Sequence, residues 1–364
     1  MSLEAIRQAE DEYLFGWDAT PGIVSVWASR DGRAVLWQRQ GESVICTQER
    51  FRPWLFAATL DDLAHLGDAL APVVTDPAQN HARITYRDLD GPPGSFRYLL
   101  SASDGRALER ELIRGASRRL ERQISSINEL ETDYYRVGPV EQYLMQSGRV
   151  YFRGMAYDDL HRLQFDLETT ALDPHRGRIF MVAVRDSRGL ATTLDAPHPQ
   201  DERRLIADLC TLIRERDPDI IENHNLFGFD LPFLEQRASV HRVPLRIGRA
   251  GGPMLLERRD ETLAIGPEAR RRIRYSVAGR ELIDTLDAVR RHDFVVRDMP
   301  SYSLKDVARY FGIASPQRVY IDGAAIFETY RHDPERVRYY ALDDVEEVDG
   351  LSQRLLGAPF ALAG

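Results

Sequence analysis

The order of predicted strands and helices between residues 163 and 241 constrains the fold more than any other feature of this sequence. Three strands come first, over residues 162–168, 178–184 and 189–194. A helix, a short apolar strand and a second helix follow, over residues 202–216, 220–221 and 231–241. Asp217-Pro218 marks the end of the first helix, because proline cannot continue it. This part of the chain is therefore predicted to form an α/β domain.

The first 150 residues follow a different pattern. Apolar and polar residues alternate from about residue 14 to residue 60, with glycine-containing turns between them, which predicts a β-meander. A short helix, a strand and an arginine-rich helix are predicted to follow, over residues 61–70, 97–100 and 105–123. The sequence thus predicts an α+β domain without an evident catalytic group over residues 1–155, and a second domain over residues 156–364.

Arginine is used almost to the exclusion of lysine, since Lys305 is the one lysine among 48 basic residues. The codon usage of a GC-rich genome explains this preference, and so does phosphate binding by guanidinium forks. One group of arginines lies within residues 249–278, a segment that is predicted to be irregular: Arg258, Arg259, Arg270, Arg271, Arg272 and Arg274. These side chains could guide a nucleic-acid strand or belong to a solvated loop. Helices are predicted beyond this segment, over residues 303–311 and 334–356.

Charge and composition restrict the class of protein. The net charge of −9 argues against a protein that coats DNA tightly, but not against an enzyme that holds DNA locally beside a metal cluster. The sequence has no apolar run of 18 residues, so a transmembrane helix is not expected. Cys46 and Cys210 lie far apart in the chain, which argues against a disulfide framework and makes a reducing cytoplasm the simplest setting.

Two carboxylates lie two residues apart in the first strand of the α/β region. Asp166 and Glu168 therefore point to one face of that strand. Adjacent carboxylates repel each other and lose hydration on burial, and a divalent cation such as Mg²⁺ or Mn²⁺ relieves both costs. Taken alone, this pair also fits an edge strand with two solvated acids.

A third acidic position lies at the start of a helix. Asp230 precedes the helix over residues 231–241, with Pro232 in its first turn, so Asp230 lies at or near the N-cap. An aspartate at this position can be a functional group, or it can simply cap the helix. The sequence around Asp230 does not distinguish the two interpretations by itself.

The last helix contains two equivalent tyrosine–aspartate pairs. Tyr340 and Asp344 are four residues apart and share one helix face, and the same is true of Tyr339 and Asp343. An apolar stripe through Leu342, Val345, Val348 and Leu351 lies next to Asp344, which favours the first pair as the inward one. A solvated acidic face is the alternative for this segment.

Together, these positions resemble the three motifs of the proofreading exonuclease domain of family B DNA polymerases. The segments similar to the first, second and third motifs are residues 165–169, 225–234 and 340–344. The third motif selects Tyr340 and Asp344 over the neighbouring pair. Segments that resemble the polymerase N-terminal region, or stretches flanking the motifs, are residues 51–57, 141–144, 151–155, 284–285 and 301–308. The similarity is nearest to the bacterial polymerase II-like branch.

The resemblance implies a ribonuclease H-like fold with a mixed central sheet in residues 156–364, and a two-metal 3′→5′ exonuclease using Mg²⁺ or Mn²⁺. In the family pattern, Asp166 bridges the two cations, Glu168 and Asp344 complete the first site, and Asp230 supports the second. The hydroxyl of Tyr340 would orient the attacking water. Weaker expectations concern contacts to the substrate by Asn225, Phe229, Leu167 and Thr169, with Phe227 as a further candidate for base stacking.

The expected partner is a single-stranded or frayed DNA 3′ end. No polymerase domain is evident before Gly364, so the sequence predicts either a fragment of a longer polymerase or a standalone relative, without polymerase activity in this chain. The expected location is the bacterial cytoplasm, at the nucleoid and away from membranes. Alternatives are an RNA-trimming exonuclease of the same fold and an inactive module that only binds nucleic acid, although the intact carboxylate set argues against the latter.

Overall fold

The structure is a computed structural model that describes residues 16–73, 83–265 and 268–363. The chain forms two compact units. The first comprises Met1–Thr20, Val26–Trp37 and Ile45–Tyr151. The second comprises Pro21–Ser25, Gln38–Val44 and Phe152–Gly364. No helix among the described residues is both long enough and apolar enough to cross a bilayer.

The helices and strands of the described residues are numbered in chain order. The strands are β1 (Ile23–Ala28), β2 (Arg33–Gln40), β3 (Ser43–Arg50), β4 (Trp54–Ala57), β5 (Leu70–Pro72), β6 (Ile84–Asp88), β7 (Tyr98–Ala102), β8 (Tyr134–Tyr135), β9 (Arg162–Thr169), β10 (Ile179–Asp186), β11 (Ala191–Asp195), β12 (Ile220–Asn223), β13 (Glu257–Ile265), β14 (Glu268–Ser276) and β15 (Glu281–Asp284). The α-helices are α1 (Gly105–Arg119), α2 (Pro139–Ser147), α3 (Glu202–Arg216), α4 (Leu231–His241), α5 (Thr285–Val296), α6 (Leu304–Tyr310), α7 (Ile326–His332) and α8 (Pro334–Ala363).

The first unit contains a five-stranded sheet in the order β5-β6-β7-β4-β8. Helix α1 begins after Asp104, whose carboxylate accepts hydrogen bonds from the first free N–H groups of the helix. Gly115 lets α1 approach the 3₁₀ turn Asp61–Ala69 closely, because a Cβ at residue 115 would lie 1.8 Å from the backbone oxygen of Asp62. Apolar side chains from the sheet, the turn and α1 form one core that includes Leu100 and Leu112. Strands β1, β2 and β3, which do not fall within the first unit alone, form a three-stranded sheet in the region predicted to be a β-meander.

The second unit is built on a mixed five-stranded sheet in the order β11-β10-β9-β12-β15. Strands β9, β10 and β11 pair antiparallel, whereas β12 runs parallel to both β9 and β15. The α/β class with a mixed central sheet, which was expected from the sequence, is therefore confirmed. Strand β9 lies at the centre of this sheet, so its side chains face covered surfaces on both sides.

Helices cover both faces of the central sheet. Phe165 and Leu167 of β9 pack with α3 and α4 in one core. Phe180 and Ala183 of β10 pack with α7 and α8 in a second core. Side chains alternate along a strand, so the even-numbered positions of β9, including Asp166, face the α8 side. This alternation brings the first acidic motif towards the last helix of the chain.

Sequence periodicity predicted several elements closely and missed others. Helices α3 and α4 have the predicted bounds. The prediction of irregular structure over residues 249–278 was wrong, because β13 and β14 form an antiparallel hairpin in which Glu257 pairs with Ser276. A two-stranded hairpin forms through backbone hydrogen bonds, so it needs no alternation of apolar residues that a sequence pattern could reveal. Helices α2, α5 and α7 and strands β5, β6, β8 and β15 were not predicted.

Candidate active site

Three carboxylates from two distant parts of the chain meet at the centre of the second unit. Asp166 and Glu168 come from β9 and Asp344 comes from α8. One oxygen of each carboxylate lies within 4.8 Å of the others. Glu168 and Asp344 are buried, while Asp166 keeps part of its surface exposed. The alternative of two solvated acids on an edge strand does not apply, because β9 is a central strand.

The orientation of α8 distinguishes the two tyrosine–aspartate pairs. Tyr340 is buried among the apolar side chains that pack on the sheet, whereas Tyr339 is 63% exposed. Asp344 lies inside the three-carboxylate cluster, whereas Asp343 accepts a hydrogen bond from the backbone N–H of Val319 at 3.2 Å. The apolar stripe of α8 sets this orientation, because burying the stripe turns the first pair inwards.

Asp230 reaches the same region from a different element. It ends a single π-helical turn, Leu226–Asp230, directly before α4. Its carboxylate makes no capping hydrogen bond to α4. Instead it accepts a hydrogen bond from the backbone N–H of Leu167 at 3.3 Å and another from the side chain of Asn223 at 2.9 Å. Asp230 lies outside the group of three mutually close carboxylates, but Asn223 also donates to Asp166 at 2.9 Å and so links the two aspartates.

Burial raises the pKa of each of the four acids Asp166, Glu168, Asp230 and Asp344, and charge repulsion adds to the rise in three of them. Burial raises the pKa of Asp166 to about 6, and the Asn223 hydrogen bond and the charges of Arg318 and Lys305 oppose that rise. Burial first, and then the charge of Asp166, raise the pKa values of Glu168, Asp230 and Asp344 well above their ordinary range. The four groups therefore resist being ionised together without a compensating positive charge.

The donor set fits a hard divalent cation. Carboxylate oxygens are the ligands that Mg²⁺ and Mn²⁺ prefer. In addition, Oε1 of Glu168 is buried and has no hydrogen-bond partner among the residues that the structure describes. A buried acceptor without a partner is costly, and a cation at the cluster would remove that cost. The residues present are thus suited to binding a divalent metal ion.

The segment that carries these acids matches a known protein family. A family model described as the RNase_H superfamily matches residues 163–351, which is just over half of the chain and contains all four acids. The chain belongs to the RNase H superfamily. The expected ribonuclease H-like fold of the second domain is thereby confirmed.

Similar proteins extend the relationship beyond this RNase H region. DNA polymerase 1 of Pyrococcus abyssi is 24% identical over 343 residues, which cover 88% of this chain and 40% of that protein. DNA polymerase 2 of Aeropyrum pernix is 30% identical over 206 residues, which cover 54% of this chain and 23% of that protein. The chain thus spans less than half the length of these relatives.

A solved structure shows the same fold. The family B DNA polymerase from the archaeon Pyrobaculum calidifontis matches with a TM-score of 0.62 and 24% sequence identity, over 92% of this chain and 45% of that one. The resemblance to the N-terminal and exonuclease regions of family B DNA polymerases is confirmed. These relatives are archaeal, and the nearer similarity to the bacterial branch stays a prediction.

The residues expected to contact the substrate lie in different environments, and their role stays a prediction. Asn225 has a positive φ of 66°, and its side chain lies against Gly228. Phe229 is half-buried and packs on Phe233, with ring centroids 5.5 Å apart. The Leu167 side chain lies in the core, and the Thr169 hydroxyl donates to the backbone oxygen of Ala171 at 3.0 Å. Phe227, considered for stacking, is also buried in that core.

Four residues beside the acids were not singled out as site residues by sequence reasoning. Asn223 bridges Asp166 and Asp230, and the Lys305 amine lies 4.7 Å from the centroid of the Tyr340 ring. The other two are Asp284 and Arg318. Asp284 and Lys305 lie in segments that resemble stretches flanking the family motifs, residues 284–285 and 301–308. None of the four belongs to an acidic motif, so their position beside the acids follows only from the structure.

Asp284 holds the turn that presents Asp230. Its carboxylate accepts hydrogen bonds from the backbone N–H groups of Asn225 at 2.8 Å and Phe227 at 3.1 Å. It also accepts from the N–H of Leu286 at 3.0 Å, which caps α5. One carboxylate thus joins the start of α5 to the π-helical turn before α4.

Proposed function

We propose that this chain is a two-metal-ion 3′→5′ exonuclease of the proofreading type, which removes nucleoside monophosphates from DNA 3′ ends. The observation that carries the proposal is the cluster of Asp166, Glu168 and Asp344, with Asp230 linked to it through Asn223. The relatives are DNA polymerases, which favours DNA over RNA as the substrate. A DNA substrate would place the enzyme at the nucleoid in the cytoplasm.

The four carboxylates would be shared between two cation sites. Asp166, Glu168 and Asp344 would hold the first cation, and Asp166 with Asp230 would hold the second. Two bound cations supply an activated water and stabilise the charge on the leaving 3′ oxygen. The protein contributes the acids themselves, of which Asp166 and Asp230 are held by the side chain of Asn223 and Asp230 also by the backbone N–H of Leu167.

Tyr340 would orient the attacking water as a hydrogen-bond donor. Burial and the nearby charges of Asp344, Glu168 and Asp166 raise the pKa of its phenol above the ordinary value of 10.0. The hydroxyl therefore keeps its proton at neutral pH and cannot act as a base. A positioning role is the one that a protonated phenol can fill at this site.

We also propose that the chain divides into two domains. Residues 1–155 would form the polymerase-like N-terminal domain and residues 156–364 the exonuclease domain. The family match begins at residue 163, and the last segment of the second unit begins at Phe152, which supports a division in this interval. In a longer protein, a polymerase module would supply the 3′ ends.

A degradation assay tests the proposed function. A 5′-labelled single-stranded DNA oligonucleotide should be shortened stepwise from its 3′ end in Mg²⁺ or Mn²⁺, with release of mononucleotides and complete inhibition by chelator. Asp166→Ala should abolish this activity, whereas Asp173→Ala, which removes an aspartate whose side chain is 49% exposed, should keep it. An RNA oligonucleotide degraded faster than DNA would favour the RNA-trimming alternative. Nucleic-acid binding without hydrolysis would favour an inactive binding module.

A further inference from the structure

Arg318 is a buried arginine whose guanidinium contacts α8 at several points. Its side chain is 1% exposed. Nη2 donates to Oδ1 of Asp344, and Nε donates to Oε1 of Glu347 at 2.7 Å. Nη1 donates to the backbone oxygen of Tyr340 at 3.2 Å and approaches Asp343 at 3.4 Å. All of these partners belong to the helix that carries the third motif.

The spacing of these partners explains how one side chain reaches them all. Residues 340, 343, 344 and 347 are three or four positions apart, so they lie along one face of α8. A guanidinium is planar and has five N–H donors in a fixed fork, which lets it span two turns of such a face. A lysine amine has no comparable fixed geometry.

Arg318 also packs on the aromatic ring of Tyr340. Its guanidinium carbon lies 5.1 Å from the centroid of that ring and 5.3 Å from the centroid of the Tyr320 ring. Arg309 lies 4.6 Å from the Tyr320 ring, and its side chain is 57% exposed. Cations and rings thus alternate from the surface at Arg309 to Tyr340. The attraction between a cation and a ring face holds the Tyr340 ring against the guanidinium of Arg318.

We propose that Arg318 is a positioning residue that fixes the Asp344 carboxylate and the Tyr340 ring together, and so prepares the site for its cations. This inference rests on the proposed function. The guanidinium donates to one oxygen of the Asp344 carboxylate, Oδ1. It also balances the negative charge of Glu347, which is 4% exposed. Without Arg318, two buried acids would lose their cationic partner and Asp344 would lose its fixed rotamer.

Metal titration of three variants tests the inference. Residues that orient metal ligands typically contribute about 10- to 100-fold to metal affinity. Arg318→Met and Arg318→Lys should both weaken Mn²⁺ binding to the full chain by about that factor in calorimetry. Arg309→Met is the control, because it removes the guanidinium that packs on the other side of the row, against Tyr320, and that contacts no acid of the cluster. Its Mn²⁺ affinity should lie within about 2-fold of the wild-type value. Lysine keeps the positive charge but lacks the planar fork. Weak Mn²⁺ binding by Arg318→Lys would therefore show that the geometry of the guanidinium is needed, and not its charge alone.

The alternative outcomes are distinct. Circular dichroism establishes the folded fraction, and the lysine variant replaces the methionine variant if the latter does not fold. Wild-type Mn²⁺ affinity in Arg318→Lys would overturn the inference, because a purely structural role leaves the affinity of folded molecules unchanged. If the wild-type chain binds no Mn²⁺, the proposed function fails, and a crystal structure of Arg318→Lys in chelator decides the inference. Unchanged Tyr340 and Asp344 rotamers there would overturn it, and displaced rotamers would support it.

Discussion

The side-chain amide of Asn223 donates a hydrogen bond to Oδ2 of Asp230 at 2.9 Å. The same amide donates to Oδ1 of Asp166, also at 2.9 Å. Asn223 is the last residue of β12, which runs parallel to β9 in the central sheet. The amide thus joins an acid of a strand to an acid of the turn before α4, and it does so from a position that is 1% exposed.

Loss of the Asn223 amide should weaken the site without removing a carboxylate. Asn223→Leu has a similar volume but no donor, so Asp166 and Asp230 would lose their shared partner. We expect the exonuclease rate to fall by about 10- to 100-fold and Mn²⁺ binding to weaken. Asn128→Leu makes the same substitution at an exposed position and serves as the control. Exonuclease rates of Asn223→Leu and Asn128→Leu within about 2-fold of each other would show that Asn223 has no positioning role.

Tyr340→Phe should lower the rate and leave metal binding intact. The substitution keeps the packed ring and removes only the hydroxyl, so the expected loss is that of one positioning contact, on the order of 10- to 1000-fold in rate. Asp344→Asn should instead weaken metal binding, and additional Mn²⁺ should partly restore its activity. Tyr339→Phe is the matched control, since Tyr339 is 63% exposed. A damaging Tyr339→Phe beside a silent Tyr340→Phe would assign the catalytic pair to Tyr339 and Asp343.

Ionisation of Asp166 should oppose folding when no metal is bound. Burial raises the pKa of this carboxyl to about 6 from 3.8, so between these pH values the folded chain holds a proton that the unfolded chain releases. The stability that this proton supplies is present below about pH 4 and is lost as the pH rises to about 6. In chelator, Asp166→Asn should therefore gain stability relative to wild type across this window.

Chemical denaturation at a series of pH values measures this difference. The gain of Asp166→Asn over wild type should grow by on the order of 1–2 kcal/mol between pH 4 and pH 6 and stay constant above pH 7. Saturating Mn²⁺ should reverse the order, because the metal binds only the ionised wild-type site. A difference that does not change with pH would contradict the environment described for Asp166.

The arginines of the β13–β14 hairpin should strengthen binding of single-stranded DNA. Arg259 and Arg274 pair directly across the hairpin. Replacing both with glutamine should lower the affinity in chelator and reduce the salt dependence, by up to about 1.4 in the logarithmic slope if both contact phosphates. Arg203→Gln with Arg204→Gln on α3 changes the net charge equally and controls for it. Fluorescence anisotropy measures the affinity of each double variant for single-stranded DNA. Equal affinities would show that the hairpin arginines have no specific role in DNA binding.

Local sequence patterns were sufficient to predict the helices and strands that bury one face, because their apolar residues recur at regular intervals. Helices α3 and α4 and the strand with Asp166 and Glu168 follow from apolar spacing, because a buried face repeats every 3.6 residues in a helix and every 2 in a strand. The three acidic motifs were also visible in the sequence, since each combines a fixed spacing with an element boundary. Their order along the chain was sufficient to identify the related polymerases.

Only the tertiary structure decided which side chains stand next to the acids. Asn223, Asp284 and Arg318 carry no periodic signal, and Arg318 lies 26 positions from the carboxylate it contacts. The β13–β14 hairpin escaped prediction for a related reason, because its pairing depends on backbone groups that every residue supplies. The spacing of apolar residues indicates which positions of a helix or strand are buried. Contacts between residues that are distant in sequence depend instead on the path of the backbone through the whole unit. The acids were therefore readable from the sequence, and the residues that hold them in place were not.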